Sequence, residues 1–252
     1  MGAVGTNNKS TVVDNSEEYD YTNPTHFDDE VSHTLKWMQN EKLSNYNEWE
    51  EGLTSQQKHA ISEFTGSEYH HSFAELYDTP WEQMTPQEQK IAQNLYDALN
   101  GFELRKPIVV YRKADTKIFG SDNMSVDDLK ALEGEIVHSN GFMSTAAGTH
   151  GYGVNSSQVE MEITIPKSVG AGAFVAYKSS IGSGEREFLL NNNGFFKVNK
   201  VIPGAGHKGA TKVEMQWVGQ SKDQIFAKDT PTEKKAGVPT ETVSKTKKKK
   251  KG

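Results

Sequence analysis

A chain of 252 residues, 34% hydrophobic and 25% charged, is long enough to bury one substantial core or two modest ones, and one compact domain with polar ends is the simplest arrangement of that average. It nowhere holds the roughly 18 consecutive apolar residues of a membrane-spanning helix, and having no cysteine it excludes disulfides, thiolate catalysis and sulfur-ligated zinc. The net charge of −6 is uneven: residues 221 to 252 hold ten lysines against four acids, leaving 18 basic against 30 acidic residues in the body, a balance that argues against nucleic-acid binding there.

Residues 1–24 are polar and without hydrophobic period, which predicts a disordered arm. They show neither the basic start nor the apolar run of a secretory signal, so a cytoplasmic site of action is expected, that of a target cell if the protein is delivered. Val31, Leu35 and Met38, followed by Tyr46 and Trp49 among charges, predict one or two surface helices. Thr54 or Ser55 caps the next helix, which turns Ile61 and Phe64 inward and leaves at Gly66. Ser67 opens another with Tyr69, Phe73 and Leu76 on one side. Thr85-Pro86-Gln87-Glu88 is a capping box with proline in the first turn, and the helix behind it presents Ile91, Leu95, Ala98 and Leu99 on one face before Gly101.

After Pro107 the period changes from helical to alternating. Strands are predicted over Ile108 to Arg112, Glu135 to His138, Gly141 to Ser144, Gln158 to Ile165, Ala173 to Tyr177, Glu187 to Leu190, Phe195 to Ile202 and Thr211 to Val218. A short helix capped by Ser125 falls between the first two. Helices first and strands afterwards imply an α+β domain in which helices cover a mainly antiparallel sheet or two packed sheets. The domain is expected over 25–219. Residues 220–252 lose all period and end in a lysine run, predicting a solvated tail whose charge suits an acidic partner or surface.

Few residues suggest chemistry. Glu185 and Glu187 flank Arg186 after a glycine-rich approach, and in an extended segment residues i and i+2 aim at one face. Like charges held together there either meet a positive charge during function or simply face water at a strand end. Arg112 ends an apolar strand, where its planar fork suits a diphosphate or a surface ion pair. Ser144 and Thr145 follow Phe142-Met143 and either orient a neighbouring carboxylate or cap the strand. Adjacent residues of a helix diverge by about 100°, so His70-His71 makes a poor metal site and no metal is expected. No strand–GxGxxG–helix phosphate loop is present.

In order, these segments resemble the arginine–serine–glutamate class of mono-ADP-ribosyltransferases, which includes clostridial actin-modifying toxins, Rho-modifying exoenzymes and phage effectors. The resemblance runs from about Leu53 to Val218. It is carried by Phe64-Thr65, Tyr69 and Leu76, then VVYR ending at Arg112, GFMSTA around Ser144, and AGAFVAYKSSIGSGEREFLL with Glu185 and Glu187. It implies that fold, with N-terminal helices on a two-sheet β core, and NAD as substrate. Arg112, Lys113, Ser144, Thr145 and Glu187 would hold NAD, with Arg112 on the diphosphate. Glu187, oriented by Ser144, would face the ribose as nicotinamide leaves, and Thr145 would support the strand. Glu185 would orient the acceptor, a protein arginine. Departures from the family pattern are Ala146 in place of a third hydroxyl, Lys113 where many relatives carry glycine, and Phe73 and Tyr77 in the helical segment. The resemblance leaves two other readings open, an NAD glycohydrolase with water as acceptor and a catalytically silent NAD-binding module.

Overall fold

Thr54 and Thr85 begin helices by the same reciprocal device. Thr54 Oγ1 accepts from the Gln57 amide while Gln57 Oε1 accepts from the Thr54 amide at 2.9 Å, and Thr85 and Glu88 repeat the exchange with Pro86 in the first turn. The computed structural model describes residues 12–66, 83–148, 158–176 and 186–221. The helices are α1 (Val31–Met38), α2 (Tyr46–Gly52), α3 (Ser55–Phe64), α4 (Pro86–Asn100) and a short α5 (Val126–Lys130). On α4 the predicted stripe of Ile91, Leu95, Ala98 and Leu99 is buried. The predicted segment from Ser67 to Leu76, its histidine pair, Tyr77 and the lysine-rich tail lie outside the described residues.

α1 and α2 lie at the surface as expected, each exposing one face and burying the other. Met38, Tyr46 and Trp49 are all but fully buried, and Trp49 finds a place for its polar edge as well as its apolar body. Trp49 Nε1 donates to the Ala98 carbonyl at 2.7 Å, and the Tyr46 ring packs 6.3 Å from Phe174.

The strands are β1 (Glu103–Leu104), β2 (Ile108–Ala114), β3 (Ile136–Ser139), β4 (Met143–Ala146), β5 (Val159–Ile165), β6 (Ser168–Val169), β7 (Gly172–Phe174), β8 (Glu187–Leu190), β9 (Gly194–Ile202) and β10 (Thr211–Gln220). β1 and β6 form a small separate pair, while the others are ordered β3-β9-β10-β5-β2-β4-β8-β7. Among the described strands only β5 and β10 run parallel. A single register pair, Tyr111 with Ala146, joins the five strands ending at β2 to the three beginning at β4. The core is therefore a mainly antiparallel sheet in two parts meeting at one seam, an α+β arrangement of the expected kind. Val159, Met161, Ile163 and Ile165 from β5 and Val213, Met215 and Trp217 from β10 fill it by strict alternation.

The N-terminal segment departs from expectation. From Val12 onward it lies on the sheet: the Asn15 amide donates to the Val218 carbonyl at 2.8 Å, Tyr21 Oη donates to the Trp217 carbonyl at 2.8 Å, and Thr25 forms a parallel bridge to Ile108. Tyr19 packs on Trp217 with ring centroids 5.5 Å apart. A strap held by single aromatic side chains and backbone bonds needs no hydrophobic period, which is why the polar composition concealed it. Gly219, at φ 148°, is where it passes closest, since a Cβ there would stand 2.5 Å from Val13 Cγ1. No helix among the described residues is long and apolar enough to cross a membrane.

Candidate active site

The seam between the two parts of the sheet gathers the polar residues. β4 and β8 pair with Ser144 opposite Leu189, Thr145 opposite Phe188 and Ala146 opposite Glu187. Paired residues share a face and diagonal neighbours on it lie within side-chain reach. Ser144 and Glu187 are such a diagonal, and Ser144 Oγ donates to Glu187 Oε1 at 2.8 Å. From β2, Arg112 Nη1 donates to the Ser144 carbonyl at 2.8 Å. One serine thus ties a guanidinium through its carbonyl and a carboxylate through its hydroxyl. Glu187 is only 4% exposed, a burial that an ionised carboxylate sustains only with donors directed at it. Arg112 stays half-buried at the end of its apolar strand, reaching both the seam and the solvent side.

The remaining predicted residues are placed differently. Thr145 faces the opposite side of β4 from Ser144, where its buried hydroxyl donates to the Phe188 carbonyl. It fastens β4 to β8, as the resemblance implied for that strand, but it is turned away from the Glu187 face. Alternation likewise turns the Lys113 side chain to the other side of β2 from Arg112, in register with Glu160, and no described hydrogen bond joins it to the Arg112–Ser144–Glu187 group. Glu185 lies outside the described residues.

Arg186 precedes β8 and has φ 48°, so the backbone at Arg186 is left-handed rather than extended as expected. The side chain of Arg186 binds Asp29, a partner that sequence reasoning did not find. Its signal was too slight, one of three consecutive acids 157 positions away. Among the described residues no group of three or more His, Asp or Glu side chains is placed to share a metal ion.

Comparison with known proteins gives the same reading. The family model described as ADP-ribosyltransferase exoenzyme matches residues 39–219, while no curated protein matches the chain. Plx2a, an ADP-ribosyltransferase toxin from Paenibacillus larvae, superposes with a TM-score of 0.63 at 23% identity, covering 77% of this chain and 98% of that one. The Clostridium limosum C3 exoenzyme gives 0.60 at 12% identity, over 79% and 99%. C3stau2 from S. aureus, solved with NAD, gives 0.57 at 16% identity, over 77% and 98%. These structures share the fold, and the family match spans both parts of the sheet and the serine-bridged site at their seam: the chain belongs to the ADP-ribosyltransferase exoenzyme family.

Proposed function

We propose that this protein transfers ADP-ribose from NAD to an arginine side chain of another protein, releasing nicotinamide, and that residues 25–219 with the N-terminal strap are its catalytic unit. The observation that carries the proposal is the chain of bonds from Arg112 through Ser144 to Glu187. A half-buried guanidinium held at the Ser144 carbonyl suits a diphosphate. A buried carboxylate, its rotamer held by a serine hydroxyl, suits a positive charge that develops on a ribose as a neutral base departs. The relatives named above include one solved with NAD, which supports NAD as the substrate here.

In this reading Arg112 holds the diphosphate and Ser144 keeps Glu187 in its productive orientation. Glu187 hydrogen-bonds the nicotinamide ribose and stabilises it as the bond from C1 to the nicotinamide nitrogen breaks, the electron pair leaving with nicotinamide. The acceptor nitrogen then bonds to C1. Its proton passes to Glu185, a role that rests on the residue type at that position. A guanidinium, with a pKa above about 12, needs such a proton acceptor.

The test is incubation of purified protein with labelled NAD and a small guanidine acceptor, then with cell lysate. The wild type is expected to label both, and Glu187→Gln to lower nicotinamide release by roughly 10²–10³-fold, the cost of losing one preorganised electrostatic partner. Absence of label on any arginine would reject the transfer reading. Nicotinamide release that survives Glu185→Gln without any acceptor label would show instead that water is the acceptor.

A further inference from the structure

Arg186 stands directly before Glu187, in a conformation that the sequence does not foreshadow. Its φ of 48° is uncommon for a residue with a side chain and persists only where the surroundings over-determine it. Three contacts do so. The Arg186 carbonyl accepts from the Ala147 amide at 2.9 Å, carrying the β4–β8 ladder one step beyond Glu187. Its guanidinium donates from Nη1 to the Asp29 carbonyl at 2.6 Å and pairs through Nη2 with the Asp29 carboxylate at 3.2 Å, with the arginine side chain only 11% exposed. Gly148 supplies the room, since a Cβ there would stand 2.6 Å from Arg186 Nε. The segment before α1, the end of β4 and the root of β8 thus meet on one side chain.

We propose that Arg186 is a positioning residue for the transfer reaction, with Asp29 as its anchor and Gly148 as its seat. This inference rests on the functional reading above. The reason is geometric. Were Arg186 to relax to the extended backbone open to any residue, the chain would enter β8 along a different path. The left-handed turn instead starts β8 in the register that brings Glu187 to Ser144. The Arg186 guanidinium is tied to Asp29 and its carbonyl to the Ala147 amide, so its hold on Glu187 includes the backbone that enters β8.

The test uses the full chain carrying Arg186→Gly, Gly148→Ala, both together, Asp29→Ala, and Glu187→Gln as reference. Glycine at 186 tolerates the left-handed backbone but does not enforce it. Alanine at 148 pushes against the anchored Arg186 side chain, and the melting temperature reports what that displacement costs the fold. Nicotinamide release and guanidine labelling give kcat and KM, NAD affinity is read from tryptophan fluorescence, and melting temperature is followed in parallel. Arg186→Gly and Gly148→Ala are each expected to lower kcat by about 10²-fold, the scale of a displacement near 1 Å at a reacting centre, with NAD affinity unchanged. The double variant is expected to be no worse than either single one, because the three atoms nearest a Cβ at 148 all belong to the guanidinium that it removes. Asp29→Ala keeps the backbone carbonyl and loses only an exposed carboxylate, so a loss of only a few-fold is expected. Wild-type kcat in Arg186→Gly and Gly148→Ala, or a loss that follows melting temperature alone, would overturn the proposal if Glu187→Gln is inactive. If Glu187→Gln itself keeps full turnover, it is the functional reading that fails.

Discussion

Ser144 carries two bonds of different strength. Its carbonyl accepts from Arg112 and its hydroxyl donates to Glu187, and only the second is lost in Ser144→Ala. A hydrogen bond to a charged group contributes about 1.5–3 kcal/mol, so that variant should lose about 10- to 100-fold in kcat for nicotinamide release with little change in KM. Steady-state kinetics at varied NAD would show this, and an effect on KM alone would contradict the orienting role. Thr145→Val is the contrasting case. Its hydroxyl faces away from Glu187 and binds a strand carbonyl, so the expected result is a stability loss of about 1 kcal/mol with unchanged NAD affinity. Weakened NAD binding at full stability would restore Thr145 as a cofactor contact. Residue types in order named Arg112, Ser144 and Glu187 in advance. Whether Thr145 and Lys113 belonged with them depended on which face each strand turned to the seam, which a four-residue motif does not disclose.

Among the elements, β3 and β9 carry a titratable group whose environment opposes its charge. His138 stacks on Phe195 with ring centroids 4.4 Å apart, and burial holds its pKa below the ordinary 6.5, with a hydrogen bond to Asn193 acting weakly the other way. The unfolded chain therefore binds the proton more readily than the native one. Stability is full above about pH 6.5 and declines as the pH falls through that value towards the lower native pKa. His138→Gln is expected to flatten the dependence of melting temperature on pH between about 7 and 5, and parallel profiles for variant and wild type would refute the assignment. The capping boxes at Thr54, Thr85 and Ser125 and the alternation of β5 and β10 were legible in the sequence because each is a local pattern. The burial of Trp49 on α2 was not, since it depends on the carbonyl that its indole finds on α4.

For the whole molecule the N-terminal strap is the feature with most consequence. Residues 12–25 bind β10 at Val218 and Trp217 and pair with β2 at Ile108. Removing residues 1–24 forfeits two hydrogen bonds and the Tyr19–Trp217 contact, about 3 kcal/mol together, which corresponds to a fall in melting temperature of about 6–12 °C. Because Asp29 remains, the shortened chain is expected to keep its rate of nicotinamide release at temperatures where it is folded. A melting temperature unchanged by the truncation would mean that the strap contributes nothing to stability. The sequence by itself determined the fold class, the order of the strands along the chain and three residues that meet at the seam, because period, capping and residue type act within a few positions. Only the tertiary structure decided that the polar arm closes over the sheet, that Arg186 turns left-handed on Asp29, and that Ser144 joins cation to carboxylate. Those contacts link segments as far apart as Asn15 and Val218, and no local pattern records the partner a side chain will find at such a distance.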